Sequence, residues 1–295
     1  GGMVPSPPMM LSALAQRTKR VTLGPSIIIL PLHNPIEIAE QLAMLDLMSN
    51  GRAQLGIGRG FVVYDYEALG MPYECAQERT VEGLEVILKA WSGQRFNHEG
   101  QFYRFEHLEV WPPVQQRPHP PVWMSASSNP LSFEWIARQG YNLLTIGFVK
   151  PVPKLAELTR IYRQASQDGK IGTLYHVVVC ENSARARELA STAVKRFLVA
   201  MKEVQSYSTD RAQREVASAS EDLQVERFVD EARLIAGNPA EVVDMLRYLE
   251  GEIGFTQVDC MFQLGGLPFE VGQESMQLFA AEVMPKLREQ APVGA

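Results

Sequence analysis

Two short stretches carry residue types suited to binding an anion. Gly56-Ile57-Gly58-Arg59-Gly60 sets an arginine among glycines. Glycine lets a backbone approach a ligand closely, and a guanidinium fork grips phosphate or carboxylate. The stretch is not the dinucleotide fingerprint, because Phe61 stands where the third glycine should be. It reads equally well as a tight turn with a solvated arginine. The second stretch is Ser125-Ala126-Ser127-Ser128-Asn129-Pro130. Asn129 suits a helix N-cap and Pro130 a first helical residue, so the hydroxyls sit where a helix N-terminus attracts phosphate. Asn34-Pro35 and Asn238-Pro239 open helices in the same way. The specificity therefore rests on the serines.

The histidines are His33, His98, His107, His119 and His176, and none pairs with another His, Cys or Asp at metal-ligand spacing. His98 and His107 fall in a hairpin pattern and are expected on the surface. His33 follows the first strand, where it could face a pocket. No Gly-x-Ser-x-Gly elbow, Walker loop or His-Glu-x-x-His occurs.

The elements that must position these residues alternate. Strands are expected at 21–30, 53–57, 121–125, 142–146, 172–180 and 257–264, short, apolar and rich in β-branched residues. Helices are expected at about 35–48, 78–91, from 130, 154–166, 183–201, 240–249 and 269–287. A helix-like pattern also begins almost at once after the first residues. Residues 98–105 read as a hairpin, and the five prolines of 111–121 demand extended chain. This order predicts an α/β fold with a parallel sheet and helices packed outside it. One domain over 1–295 is expected, with an excursion at about 92–120 and a polar, lid-like insertion at about 203–236. A (β/α)8 barrel needs eight strands in about 250 residues, and six are visible here.

Composition narrows the function. Of 295 residues, 46% are hydrophobic and 21% charged, which suits a folded globular chain. A net charge of −6 argues against nucleic-acid binding. No apolar run approaches the ~18 residues of a membrane span. Cys75, Cys180 and Cys260 lie too far apart for a disulfide scaffold or a Cys-x-x-Cys site and fit a reducing, cytoplasmic setting.

In order along the chain, these pieces resemble the bacterial luciferase-like flavin monooxygenases. The match runs through Leu23-Gly24-Pro25-Ser26-Ile27-Ile28-Ile29-Leu30-Pro31-Leu32-His33-Asn34-Pro35, Ser49-Asn50-Gly51-Arg52 and Leu55-Gly56-Ile57-Gly58-Arg59-Gly60. It continues through Glu99-Gly100-Gln101-Phe102-Tyr103, Pro121-Val122-Trp123-Met124-Ser125-Ala126-Ser127-Ser128, Gly237-Asn238-Pro239 and Met284-Pro285. The resemblance implies a (β/α)8 TIM barrel of the luciferase-like type, with the first two strand–helix units missing before Gly1. The family's active-site histidine is then expected upstream of Gly1.

The resemblance implies reduced FMN as cofactor, supplied by a separate flavin reductase. Ser26 and Ile27 match a non-proline cis peptide under the flavin ring. Arg59 matches the phosphate-binding arginine, and Ser127, Ser128 and Ser132 match further phosphate contacts. Gly58 stands where the luciferase subunit has a reactive cysteine. The implied reaction uses O2 to oxidise a small organic substrate through a flavin hydroperoxide, incorporating one oxygen atom. A homodimer is implied as well. Two alternatives stay open: a deazaflavin-dependent hydride-transfer enzyme, and a non-catalytic or truncated flavin-fold subunit. A barrel hydrolase has no metal cluster or nucleophile–base pair to support it.

Overall fold

A computed structural model describes residues 6–209 and 226–288. The chain's contacts cluster into two compact units, residues 1–125 and 126–295.

The first unit begins with α1 (Pro7–Arg17), followed by β1 (Ile28–Ile29), α2 (Pro35–Ser49) and β2 (Leu55–Gly58). Next come α3 (Val63–Ala68), α4 (Ala76–Trp91), the hairpin of β3 (Phe96–Glu99) and β4 (Arg104–Leu108), and β5 (Val122–Ser125). β1 and β5 flank β2 in parallel, with Ile28 opposite Ile57 and Leu55 opposite Val122. β2 is buried along its whole length, as expected of a strand covered on both faces. The expected strand 21–30 is mostly irregular. Leu23 bridges Ala53, then Pro25 offers no N–H and the ladder lapses until Ile28.

Local sequence accounts for α2. Asn34 caps it by accepting from the Ile36 N–H, and Pro35 follows at its first position. The helix ends at Asn50, which adopts a left-handed conformation (φ 59°), and Gly51 follows at φ 76°. Arg52 then acts as a clasp. It donates to the carbonyls of Ser49, Val21, Ala15 and Thr18 and to the Thr18 hydroxyl.

The hairpin differs from the sequence expectation at one residue. His107 is exposed, but His98 is 5% exposed. Its Nε2 lies 3.2 Å from Glu82 Oε1 and its Nδ1 3.1 Å from Lys89 Nζ. Pairing to α4 is what makes its burial tolerable. Glu82 also accepts the N–H groups of Gln101, Phe102 and Tyr103. Burial raises the Glu82 carboxyl, but the Tyr103, His98 and Phe102 hydrogen bonds outweigh it and hold the group below its ordinary 4.5. Ionised Glu82 thus stabilises the folded hairpin above that pH, and the contribution is lost as pH falls below it. Amide exchange at Gln101, Phe102 and Tyr103, relative to intrinsic rates, is expected to accelerate from about pH 4.5 downward. Constant protection through that range would refute the tie.

The second unit contains α5 (Pro130–Arg138), β6 (Asn142–Ile146), α6 (Val152–Ala165), β7 (Ile171–Val179) and α7 (Ser183–Ser206). α8 (Glu226–Asp230), β8 (Ile235–Gly237), α9 (Pro239–Ile253) and β9 (Gln257–Met261) follow. The chain closes with α10 (Phe269–Leu278), a π-helical turn over Phe279–Val283 and α11 (Met284–Arg288). β7 is the central strand and pairs in parallel with β6, β8 and β9. Of the lid-like stretch 203–236, residues 210–225 lie outside the described residues. Its described C-terminal part is anchored: Phe228, Val229, Leu234 and Ala236 are buried with the Ala186, Ala190 and Ala193 stripe of α7. Gly265 belongs to the same packing. A Cβ there would stand 1.8 Å from the Ala193 carbonyl oxygen, so only glycine lets the segment after β9 pass α7 this closely.

No described helix is long and apolar enough to cross a membrane.

Candidate functional site

In the first unit, Ile27, the residue before β1, meets Gly58 and Ser125, the last residues of the parallel strands β2 and β5. A Cβ on Gly58 would stand 2.1 Å from Ser125 Oγ and 2.5 Å from Ile27 Cδ1. Glycine is therefore required for Ile27 and Ser125 to close over the end of β2. The Ser26–Ile27 peptide bond is cis, as are Trp111–Pro112 and Arg117–Pro118. Gly60, at φ 70°, turns the chain away beside Ile29.

Arg59 is the exposed residue between these glycines. Its guanidinium carbon lies 5.4 Å from the centroid of the Tyr73 ring, and its carbonyl accepts from the Tyr66 hydroxyl. Tyr66 and Tyr73 pack edge to face, with centroids 5.1 Å apart at 82°. Burial, reinforced by Tyr73, pushes the Tyr66 phenol up to about 12 despite nearby Arg59. Tyr66 therefore remains a protonated donor. Among the described residues no carboxylate forms an ion pair with Arg59. A braced cation without an acidic partner is chemically suited to an anion.

In the second unit, Ser127 and Ser128 precede α5, and Ser132 lies in its first turn. Ser127 and Ser132 are half-buried and Ser128 is exposed. Asn129 caps the helix by accepting from the Leu131 N–H. The three serines thus gather around one helix N-terminus, whose free N–H groups and dipole favour negative charge.

His33 follows β1. It is exposed beyond a short 3-10 turn. Desolvation lowers its pKa, with Glu37 opposing. Among the described residues no three metal-ligating side chains cluster. Ser125 belongs to the serine stretch singled out from sequence, whereas Tyr66 and Tyr73 carry no such signal. Nothing local marks the two tyrosines, because their role comes from packing onto the β2–α3 connection.

The luciferase-like monooxygenase family model matches residues 1–257, and the chain belongs to that family. The oxygenase component of the flavin-dependent trigonelline monooxygenase of Acinetobacter baylyi is 27% identical over 300 residues. That match covers 97% of this chain and 82% of the relative. Among solved structures, monooxygenase RslO1 from Streptomyces bottropensis superposes with a TM-score of 0.83 at 29% identity, covering 97% of this chain and 84% of that one. The coenzyme F420-dependent tetrahydromethanopterin reductase of Methanopyrus kandleri gives a TM-score of 0.73 at 20% identity, covering 96% and 88%. That last likeness is one of fold. The fold class is therefore α/β, of the luciferase-like TIM-barrel type, as the sequence resemblance implied.

Proposed function

We propose that the chain is the oxygenase of a two-component flavin system. It binds reduced FMN delivered by a separate reductase and uses O2 to oxidise a small organic substrate, working in the cytoplasm as a homodimer. The observation that carries this reading is Arg59, an exposed guanidinium braced on Tyr73 and flanked by the glycines that end β2. The residues fit the cofactor. Gly58 has no side chain where Ile27 and Ser125 close in, so Ser26 and Ile27 can serve as a shelf for a flat ring. In this reading Arg59 meets the phosphate in the first unit, while Ser127, Ser128 and Ser132 are anion-binding candidates within the second.

Reduced FMN, when bound, supplies the electrons with which O2 is split between substrate and water. The chain contributes the rest. Arg59 supplies a permanent charge that neutralises the phosphate. Within the second unit, the serine hydroxyls offer donors to an anion beside the N–H groups of α5. Ile27 presents an apolar surface to the ring. The trigonelline monooxygenase component supports this reading as a flavin-dependent oxygenase component.

Anaerobic titration with photoreduced FMN and, separately, with reduced deazaflavin coenzyme tests the proposal. Saturable binding of reduced FMN in preference to the deazaflavin is expected. Preference for the deazaflavin would turn the reading to hydride transfer. Binding of neither would turn it to a non-catalytic subunit.

A further inference from the structure

His176 is the polar side chain whose surroundings fit no structural role. It lies on β7, three residues before Val179, and faces Met261 across the β7–β9 ladder. Alternation along the strand places Leu174, His176 and Val178 on one face and Thr173, Tyr175 and Val177 on the other. The imidazole is 3% exposed, and neither Nδ1 nor Nε2 has a hydrogen-bond partner among the described residues. Several buried hydroxyls, those of Thr145, Thr173, Tyr175 and Tyr103, are also unpartnered. His176 is the member of that set with two such atoms. A neutral imidazole carries one donor and one acceptor, and leaving both dry is costly. A leucine or phenylalanine would fill the space without that cost.

Two aromatic walls flank the ring. Its centroid lies 4.6 Å from that of Phe148, tilted 41°, and 5.8 Å from that of Phe197, tilted 55°. The two phenyl rings meet edge to face, 6.0 Å apart at 88°. Each wall is held in place from behind. Gly147 packs onto Tyr175 so closely that a Cβ would stand 2.0 Å from the ring, which fixes where the chain turns into Phe148. Arg233 then ties down the same turn, donating from Nε to the Phe148 carbonyl at 2.9 Å and from Nη2 to that of Val149 at 3.3 Å. Phe197 is carried by α7, whose alanine stripe sits in the core. Both phenylalanines keep part of their surface accessible, whereas the imidazole has almost none. A ligand would therefore reach the ring nitrogens by displacing a phenyl edge.

We propose that His176 hydrogen-bonds the polar group of the organic substrate while Phe148 and Phe197 clasp its apolar body. This rests on the oxygenase reading above and names the class of molecule the site takes: a compact ring or chain bearing one uncharged carbonyl or hydroxyl. The site sits near the C-terminal end of a central strand, where parallel α/β folds bind ligands. Burial lowers the imidazole pKa to about 4, so the ring is neutral at pH 7 and offers no charge to a carboxylate or sulfonate.

The test uses the full chain without flavin, so its result is independent of whether FMN binds. Acetophenone, benzoate and ethylbenzene serve as matched probes with a neutral carbonyl, an anion and no polar group. Histidine-labelled protein is titrated by NMR, following the His176 ring nitrogens. Acetophenone is expected to shift one ring nitrogen and to bind about tenfold more weakly to His176→Phe, the worth of one recovered buried hydrogen bond. Ethylbenzene should bind both proteins equally, and benzoate should bind wild type more weakly than acetophenone. His176→Gln, which keeps a donor and an acceptor, should recover part of the loss and serves if His176→Phe does not fold. The proposal is overturned if acetophenone fails to bind wild type, if its affinity is unchanged in both variants, or if the ring nitrogens stay still at saturation. The last result would mark a trapped water as their only partner.

Discussion

Replacing Arg59 with alanine is expected to weaken FMN binding by roughly 10- to 100-fold and to leave riboflavin binding unchanged. A charge-assisted hydrogen bond to phosphate is worth about 1.5–3 kcal/mol, and each ~1.4 kcal/mol is tenfold in affinity. The side chain is exposed, so solvent and salt pull the effect toward the lower end. Riboflavin is the informative control because it keeps the ring and lacks the phosphate. Arg59→Lys should fall between wild type and alanine: it keeps the charge but loses both the fork and the stacking on Tyr73. Fluorescence titration of each variant with oxidised FMN and with riboflavin gives the comparison. An equal loss for both ligands would mean that Arg59 supports the fold, and no loss for FMN would remove it from the phosphate site.

The largest stability effect is expected at Asp46, which is fully buried. Its Oδ2 accepts the N–H groups of Gln115 at 2.7 Å and Gln116 at 2.9 Å, and its Oδ1 accepts from Gln116 Nε2 at 2.7 Å. Gln116 Nε2 also reaches the Ala53 carbonyl, and Gln115 Nε2 reaches Asn50 Oδ1. One carboxylate thus ties the proline-rich segment to the end of α2. That segment leads into β5, where the Leu55 N–H donates to the Pro121 carbonyl and Ser125 closes over Gly58. Asp46→Ala strands two backbone donors and a side-chain amide. A cost on the order of 3 kcal/mol follows, a fall in Tm of roughly 6–12 °C. Asp46→Asn keeps one carbonyl acceptor and should lose about half as much. Thermal unfolding by circular dichroism reads both. A fall of a degree or two for Asp46→Ala would show that water replaces the carboxylate.

These two residues mark the boundary of what was legible in the chain. Arg59 stood out because its neighbours are glycines, a local signal. Asp46 had no such signal: its partners lie 69 and 70 residues away. His98 shows the same limit. Its setting in a polar hairpin suggested the surface, yet Glu82, sixteen residues earlier, buries it.

The sequence by itself marked most of the alternation of strands and helices, though not α3 or β8, together with the Asn-Pro helix starts and the two candidate anion-binding stretches. Each depends on contacts within a few residues: capping, hydrophobic period, or the conformational freedom of glycine. Tertiary structure alone decided that Tyr66 and Tyr73 brace Arg59, that Ile27 and Ser125 close over Gly58, and that His176 lies dry between two phenylalanines. Those arrangements depend on which side chains distant segments bring together. Burial then turns ordinary polar groups into buried ties or unpaired atoms, and no local pattern records that cost.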